Sequence, residues 1–433
     1  MTIHSDWIKI FKKEVPTAFS TNLPSSVQVR TVFIDGQIKL MKSSHIKDWD
    51  VFVRIQFIDV IHAIFNKYGA SVCVLAFDDY DYVPTAKGPT QRCRSRHVPF
   101  VNFNEQDELP KEIPDDFAAM MRNRTFKCKV IAYVVHCVRQ HFIKNLMGRA
   151  DKTLIIDFKN SPQILGKAVE LSADTFSNQD AKRGECDIKA FNYIGMGPLL
   201  IISTDGDYVP MALIQLKQNT GNDMVFIHRI KINVSKKRQL QSTASSREFE
   251  FVNVQELRNK LDLDVRNKYQ LETEQWSVCL AALIAMTGCD FCMNLPQIGP
   301  IKVWDARHLL FQSNHHLQIA CVQTMIQLYQ ATMLQGIKSF VQSEQEDDFK
   351  AQWQTTIQRL KDKKPTSSVV SKLWTFERLT AHSKNILWTT QYWTNLQFFS
   401  DPLLVDSDGQ TLYGFVKIKN IVHFEHQVQN KKY

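Results

Sequence analysis

The sequence predicts an α/β fold in which a mostly parallel β-sheet is flanked by helices. Three observations predict it. Short apolar runs end in carboxylates or polar turns, helical patterns lie between and after them, and no run is long enough for a membrane span.

The first strand is Thr31 to Asp35 (TVFID), an apolar run without polar alternation, as burial on both faces requires. A helical pattern from Trp49 to Tyr68 follows, and then a second strand, Ser71 to Asp78 (SVCVLAFD). Phe117 to Met147 predicts a long helix, and Thr153 to Asp157 (TLIID) a third strand. Cys186 to Ile194 predicts a helix that leads into the fourth strand, Leu199 to Asp205 (LLIISTD).

The stretch from Asn219 to Arg247 differs. TGND is a turn signal, MVFIHRIKI is hairpin-like, and SKKRQLQSTASSR is polar and basic, so residues 219–247 are predicted to form a basic excursion. The apolar helix Trp276 to Thr287 restores regular structure. Charged and Gln-rich sequence from Ser343 to Ser368 then leads to a Trp-rich segment with Trp388 and Trp393, expected to fill a core. The expected division is one domain over residues 1–310 and a C-terminal cap or extension over residues 311–433.

The excess of 53 Lys and Arg over 44 Asp and Glu gives a net charge of +9, which favours a polyanionic partner. Asp6, Lys9, Lys12 and Lys13 interrupt the opening MTIHSDWIKIFKK, so no signal-peptide core is expected. The best apolar run, Val278 to Met286, is half of the roughly 18 residues that a membrane span needs. A soluble intracellular protein with no membrane partner is the expectation. The 9 cysteines, an odd count scattered through apolar segments, suit a reducing compartment. Cys289 and Cys292 lack the second pair that a zinc site needs and read as small buried hydrophobes.

In an open parallel sheet the crevice beyond the carboxyl ends of the strands collects side chains from distant segments. Asp35, Asp78, Asp205 and Asp207 all fall there. Singly, each has an ordinary explanation in a turn or a helix N-cap, but recurrence at one edge does not. Glu185 and Asp187 open the helix before the fourth strand, where a single acid would satisfy the helix dipole. Asp290 follows the helix that ends in MTG.

Grouped carboxylates repel one another and their pKa values rise unless cations relieve them. Mg²⁺ takes oxygen ligands, and two such ions about 4 Å apart stabilise the attacking and leaving oxygens of an in-line displacement. The acids therefore predict a site for a pair of hard cations, Mg²⁺ replaceable by Mn²⁺. The segment PTAKGPTQRCRSRH after the Asp78 strand carries Lys87, Arg92, Arg94 and Arg96 and no acid. If it is helical after Pro89, Arg92 and Arg96 share a face from which a cation reaches the scissile phosphate; a solvated basic loop is the alternative.

In this order the motifs VFIDG (Asp35), AFDDYDYVP (Asp78), GECDIKAF (Glu185, Asp187), STDGD (Asp205, Asp207) and TGCDFCMNLPQIGP (Asp290) resemble a known group. It is the PIN-like superfamily of flap endonucleases, XPG-type nucleases and 5′ to 3′ exoribonucleases, and the resemblance covers residues 1–310. It implies a 5′ nuclease in which the seven acids bind two metals that activate water, while Lys87 and Arg94, seven residues apart, place and polarise the phosphate. LPQIGPIK resembles the family's helix-two-turn-helix, which implies that Gly299, Pro300 and Lys302 hold duplex backbone. Gln297 stands where the first Gly of that turn is expected, and Thr2 where the family has Gly.

No sliding-clamp box is expected, since Gln323 to Gln330 fits that pattern in part and reads as a core helix. VPTAKGPTQRCRSR resembles the basic loop of the exoribonucleases, which implies that Gln91 and Arg92 contact a 5′ phosphate, with Arg96 also on nucleic acid. The expectation is a structure-specific 5′ nuclease, with DNA favoured over RNA. A 5′ to 3′ exoribonuclease or RNA endonuclease is the alternative, and retention of all seven acids disfavours an inactive nucleic-acid-binding scaffold.

Overall fold

A computed structural model describes residues 6–40, 45–79, 102–146, 151–159, 161–166, 185–216, 224–231, 248–289, 291–313, 316–333, 346–363, 373–394, 407–408, 410–413, 415–418 and 421–424. In chain order the principal elements begin with α1 (Asp6–Glu14), β1 (Phe19–Ser20), β2 (Thr31–Asp35), α2 (Gly36–Lys39), α3 (Trp49–Val53), α4 (Asp59–Lys67), β3 (Val72–Ala76) and α5 (Arg124–Leu146). There follow β4 (Thr153–Phe158), β5 (Ser161–Gly166), α6 (Cys186–Lys189), β6 (Leu199–Ser203), α7 (Tyr208–Gln215), β7 (Val225–Lys231), β8 (Glu248–Asn253) and α8 (Val254–Tyr269). The rest are α9 (Thr273–Met286), α10 (Pro300–Asp305), α11 (Leu317–Met333), α12 (Glu346–Lys363), α13 (Phe376–Thr394), β9 (Phe415–Ile418) and β10 (Ile421–Phe424).

The described residues divide into two compact units, one drawn from residues 16–79 and 102–258 and the other from residues 6–15 and 259–424. Residues 259–310 thus belong to the same unit as the chain beyond 310.

The first unit is built on an eight-stranded sheet of order β1-β8-β7-β6-β2-β3-β4-β5. The five strands from β7 to β4 pair in parallel, while β8, β1 and β5 join antiparallel. Every residue of β2 and β3 is buried, which explains why their sequences are continuous apolar runs. Successive side chains nevertheless part to opposite faces. Val32, Ile34, Cys73, Leu75, Leu154 and Ile156 join the cluster formed with Ile61 and Phe65 of α4 and Phe126, Val130 and Val134 of α5. Phe33 packs instead against Tyr193 and Tyr208, with ring centroids 5.9 and 6.5 Å away.

From β2 the chain winds outward through β3 to β4, and then returns to β6 and β7 on the other side of β2. That reversal opens a crevice at the carboxyl ends of β2 and β6.

Several elements differ from the sequence reading. The helix expected over 117–147 is interrupted at residues 121–123, between Phe117–Met120 and α5, the charged, Gln-rich stretch 343–368 contains the helix α12, and β1, β5 and β8 form where no strand is expected. The helix expected over 49–68 has a π-helical middle, Arg54–Ile58, between α3 and α4. MVFIHRIKI is not a hairpin: Val225–Lys231 is one strand, parallel to β6, and its antiparallel partner is β8. The run lacks an internal turn because its buried residues, Val225, Phe226 and Ile227, continue the sheet. Residues 217–223 and 232–247, with the SKKRQ sequence, lie outside the described residues.

The second unit is mainly helical, and α13 packs on α9 and α11. The indole N–H of Trp7 donates to Thr287 Oγ1 at 2.9 Å and that of Trp304 to Glu14 Oε1 at 3.0 Å, tying α1 to the ends of α9 and α10. Trp388 and Trp393 are buried, and Trp388 stacks on Tyr392 at 5.0 Å, so these aromatics fill a core. Gln323 and Gln330 are buried in α11, as a core helix requires. Cys289 and Cys292 are buried and in no disulfide. Gly288 ends α9 with φ +94°, where a Cβ would lie 2.9 Å from the Asn294 backbone nitrogen, so glycine is required. Among the described residues no helix is long and apolar enough to cross a membrane.

Candidate active site

Asp35 is the last residue of β2, and β2 lies between β6 and β3. The parallel register pairs Asp35 with Ala76 and Ile34 with Ile202, so Asp78 and Asp205, each two residues past its strand, flank Asp35 at one edge of the sheet. Gly36 makes the junction possible. A Cβ there would sit 2.7 Å from the carbonyl oxygen of Ala76 and run into the Phe77 ring, which is why VFIDG has glycine after its acid.

Asp35 is 7 % exposed, and its Oδ1 accepts the Gln37 N–H at 2.9 Å, capping α2. Burial first, then the charge of Asp78 and then that of Asp205, push its carboxyl up to about 7, against the opposing Gln37 hydrogen bond. The Tyr208 hydroxyl is near enough to favour the ionised form without making a well-formed hydrogen bond. Burial, then Asp35, with Asp187 also contributing, raises the Tyr208 hydroxyl itself well above its ordinary range.

Glu185 is buried and stands at the N-cap of α6, its carbonyl accepting the N–H groups of Ile188 and Lys189 at 3.2 and 3.0 Å. The next residue anchors this helix to the neighbouring acid: the Cys186 N–H donates to Asp78 Oδ1 at 2.8 Å. In STDGD, Ser203 Oγ accepts the Asp205 N–H at 2.9 Å, and Asp205 Oδ1 accepts the Asp207 N–H at 3.1 Å, making a tight turn ahead of α7. Asp35, Asp78, Glu185, Asp205 and Asp207 are in this way linked along one edge, and Asp187 lies two residues beyond Glu185 in α6.

Asp290, Lys87, Gln91, Arg92, Arg94 and Arg96 lie outside the described residues. Gly299, Pro300 and Lys302 belong to the second unit. Gly299 caps α10 with Pro300 in its first turn, and a Cβ on Gly299 would meet nothing within 4 Å. The Lys302 ammonium donates to the carbonyl of Gln297 at 3.2 Å. Gln297 has φ +65°, the left-handed conformation that glycine adopts without strain, which is the physical reason for glycine at this point of such a turn. Gln297→Gly is expected to stabilise the protein by about 0.5 to 1 kcal/mol, read as a higher urea midpoint. A lower midpoint would show that the Gln297 side chain holds the turn.

Among the described residues no group of three or more His, Cys, Asp or Glu side chains is arranged to hold a metal ion. The chemistry of the edge nevertheless fits a hard cation. Its donors are carboxylate oxygens, and the repulsion from Asp78 and Asp205 that adds to burial in raising Asp35 is what a divalent cation would relieve.

Sequence reasoning missed two cations beside the acids, one buried and one half-buried. Lys189 pairs with Asp157 at 3.1 Å. Arg229, opposite Ser203 in the β6–β7 register, pairs with Glu250 at 3.2 Å. Burial lowers the Arg229 pKa, and Glu250 and then Asp205 oppose that shift. For Lys189 the available signal was TLIID, which ends in Asp157 as TVFID ends in Asp35.

No family model matches the chain, and no curated protein matches it in sequence. Among solved structures it is similar to the catalytic core of Rad2 in complex with a DNA substrate, at 11 % identity and a TM-score of 0.33, over 88 % of this chain and 98 % of that one. It is also similar to the bacteriophage T5 D15 flap endonuclease in a complex with DNA and metal ions, at 10 % identity and a TM-score of 0.29, over 84 % of this chain and 100 % of the other. A T5 D15 structure co-crystallised with metal ions gives 10 % identity and a TM-score of 0.28, over 85 % and 100 %.

Proposed function

We propose that this edge hydrolyses phosphodiester bonds in nucleic acid with divalent cations, Mg²⁺ or Mn²⁺, acting at a free 5′ end on branched DNA. The observation that supports it most is the Asp35 carboxyl, raised to about 7 by burial first and then by Asp78 and Asp205, at the crevice where the sheet reverses direction. A fold gains nothing from such crowding, whereas a cation site does.

Asp35, Asp78, Asp205 and Asp207, with Glu185 and Asp187, would hold the cations, and Asp290 is the seventh acid that the motifs supply. When bound, two such ions lower the pKa of a water and offset charge on the phosphate. The chain's own part is to hold the acids in place. Gly36 lets β2 abut β3, Cys186 ties the Glu185 helix to Asp78, and the Ser203 turn presents Asp205 and Asp207. Lys87 and Arg94 would place the phosphate, and Gln91, Arg92 and Arg96 the strand that carries it. The open space over Gly299, beside Pro300 and Lys302, leaves room for a sugar-phosphate backbone, a contact that reads no base sequence.

The test sets a 5′-flap DNA, a nicked duplex and a 5′-monophosphorylated RNA side by side. Flap DNA is expected to be cut in Mg²⁺ or Mn²⁺ and left whole in EDTA. Undiminished cutting in EDTA removes the metal from the reading, and degradation of the RNA with flap DNA untouched removes the DNA preference.

A further inference from the structure

Asp157 is the penultimate residue of β4, where the register pairs it with Ala76, whereas Asp35 ends β2, and its surroundings differ. Its Oδ1 lies 3.1 Å from Lys189 Nζ and its Oδ2 accepts the Tyr193 hydroxyl at 2.8 Å, with the paired side chains 3 % and 2 % exposed. The same ammonium donates to the carbonyl oxygen of Phe77 at 3.0 Å, and the Phe77 N–H donates to the carbonyl oxygen of Asp157 at 3.0 Å. One cation therefore touches the ends of both β3 and β4.

Lys189 is also the last residue of α6, one turn after Glu185 and two residues after Asp187. At the other end of that short helix the Cys186 N–H is bonded to Asp78. The helix is pinned at both ends to the strand that delivers Asp78. A buried ion pair is a poor source of stability, because desolvation of the two charges offsets most of their attraction. Its gain here is position.

We propose that Lys189 is a positioning residue for the acidic edge. Through Asp157 and the Phe77 carbonyl it fixes Glu185 and Asp187 relative to Asp78, and so sets the affinity of the edge for divalent cations. The inference rests on the reading of that edge as a cation site. Partners that orient metal ligands from outside typically change metal affinity or activity 10- to 100-fold when removed.

Lys189→Met alone would strand a buried carboxylate, so the informative variant is Asp157→Asn with Lys189→Met, which removes both charges. In metal-free buffer its circular dichroism and thermal midpoint should stay close to those of the wild type. Its Mn²⁺ dissociation constant, read from the electron paramagnetic resonance of free Mn²⁺, should rise about ten-fold or more, and the Mg²⁺ concentration for half-maximal cleavage should rise with it. If the double variant does not fold, Asp157→Asn, which leaves Lys189 on the Phe77 carbonyl, is read in the same way. An unchanged Mn²⁺ constant in a folded variant, while Asp205→Asn with Asp207→Asn loses Mn²⁺, overturns the inference alone. A wild-type chain that binds no Mn²⁺ and cuts no substrate overturns the reading of the edge and the inference together.

Discussion

Asp205→Asn combined with Asp207→Asn is expected to slow cleavage by about 1,000-fold or more at saturating Mg²⁺, equivalent to about 4 kcal/mol of barrier. The fold should be unaffected. Neither acid belongs to the buried core, and an amide oxygen at position 205 can still accept the Asp207 N–H that closes the turn. Nucleic-acid binding should persist, since phosphate contacts carry it and two fewer negative charges do not oppose it. Single-turnover cleavage of a flap substrate measures the effect, with thermal unfolding as the control. A rate within ten-fold of wild type, with Mg²⁺ as the only metal, would remove the carboxylates of STDGD from the chemistry.

Asp35→Asn is expected to abolish cleavage and at the same time stabilise the metal-free protein at alkaline pH. The Asp35 carboxyl titrates near 7 in the folded chain against 3.8 as the ordinary value. A folded pKa above the unfolded one contributes stability that is complete below the unfolded value and is lost as pH rises through the folded value. By pH 8 the loss approaches the whole shift, at most about 4 kcal/mol, and near pH 4 it is nearly absent. Asparagine does not ionise, and its carbonyl oxygen can still cap the Gln37 N–H. The difference in stability between variant and wild type, measured by urea unfolding in EDTA, should therefore grow from pH 4 to pH 8. Added Mg²⁺ should close it by stabilising the wild type. A difference independent of pH would show that Asp35 is not the group under strain.

The central strands β2, β3, β4 and β6 were legible because buried parallel strands leave unbroken apolar runs, as TVFID and LLIIS do, whereas β1, β5 and β8, which join antiparallel, left no such signal. The acids were legible for the same reason, since the end of such a run marks the crevice. What distinguishes Asp35 from Asp157 was not legible. Both lie at the carboxyl end of an apolar strand, and the difference is a lysine 32 residues beyond Asp157 that the fold brings to it. MVFIHRIKI was misread because a strand's partner is a matter of topology, and β8 begins beyond a stretch of 16 residues that carries no apolar pattern. The π-helical turn at Arg54–Ile58 has no Gly or Pro to announce it.

The order of strands has a consequence for how copies of this chain meet. A sheet edge with unsatisfied N–H and C=O groups is a template for another molecule's strand, and long flat edges invite aggregation. Here one rim is β1, a strand of 2 residues. The other rim is β5, where Pro162 removes an N–H from the row. Among the described residues, strand exchange between two copies would thus gain few hydrogen bonds along β1 and would meet an interrupted row of N–H groups along β5.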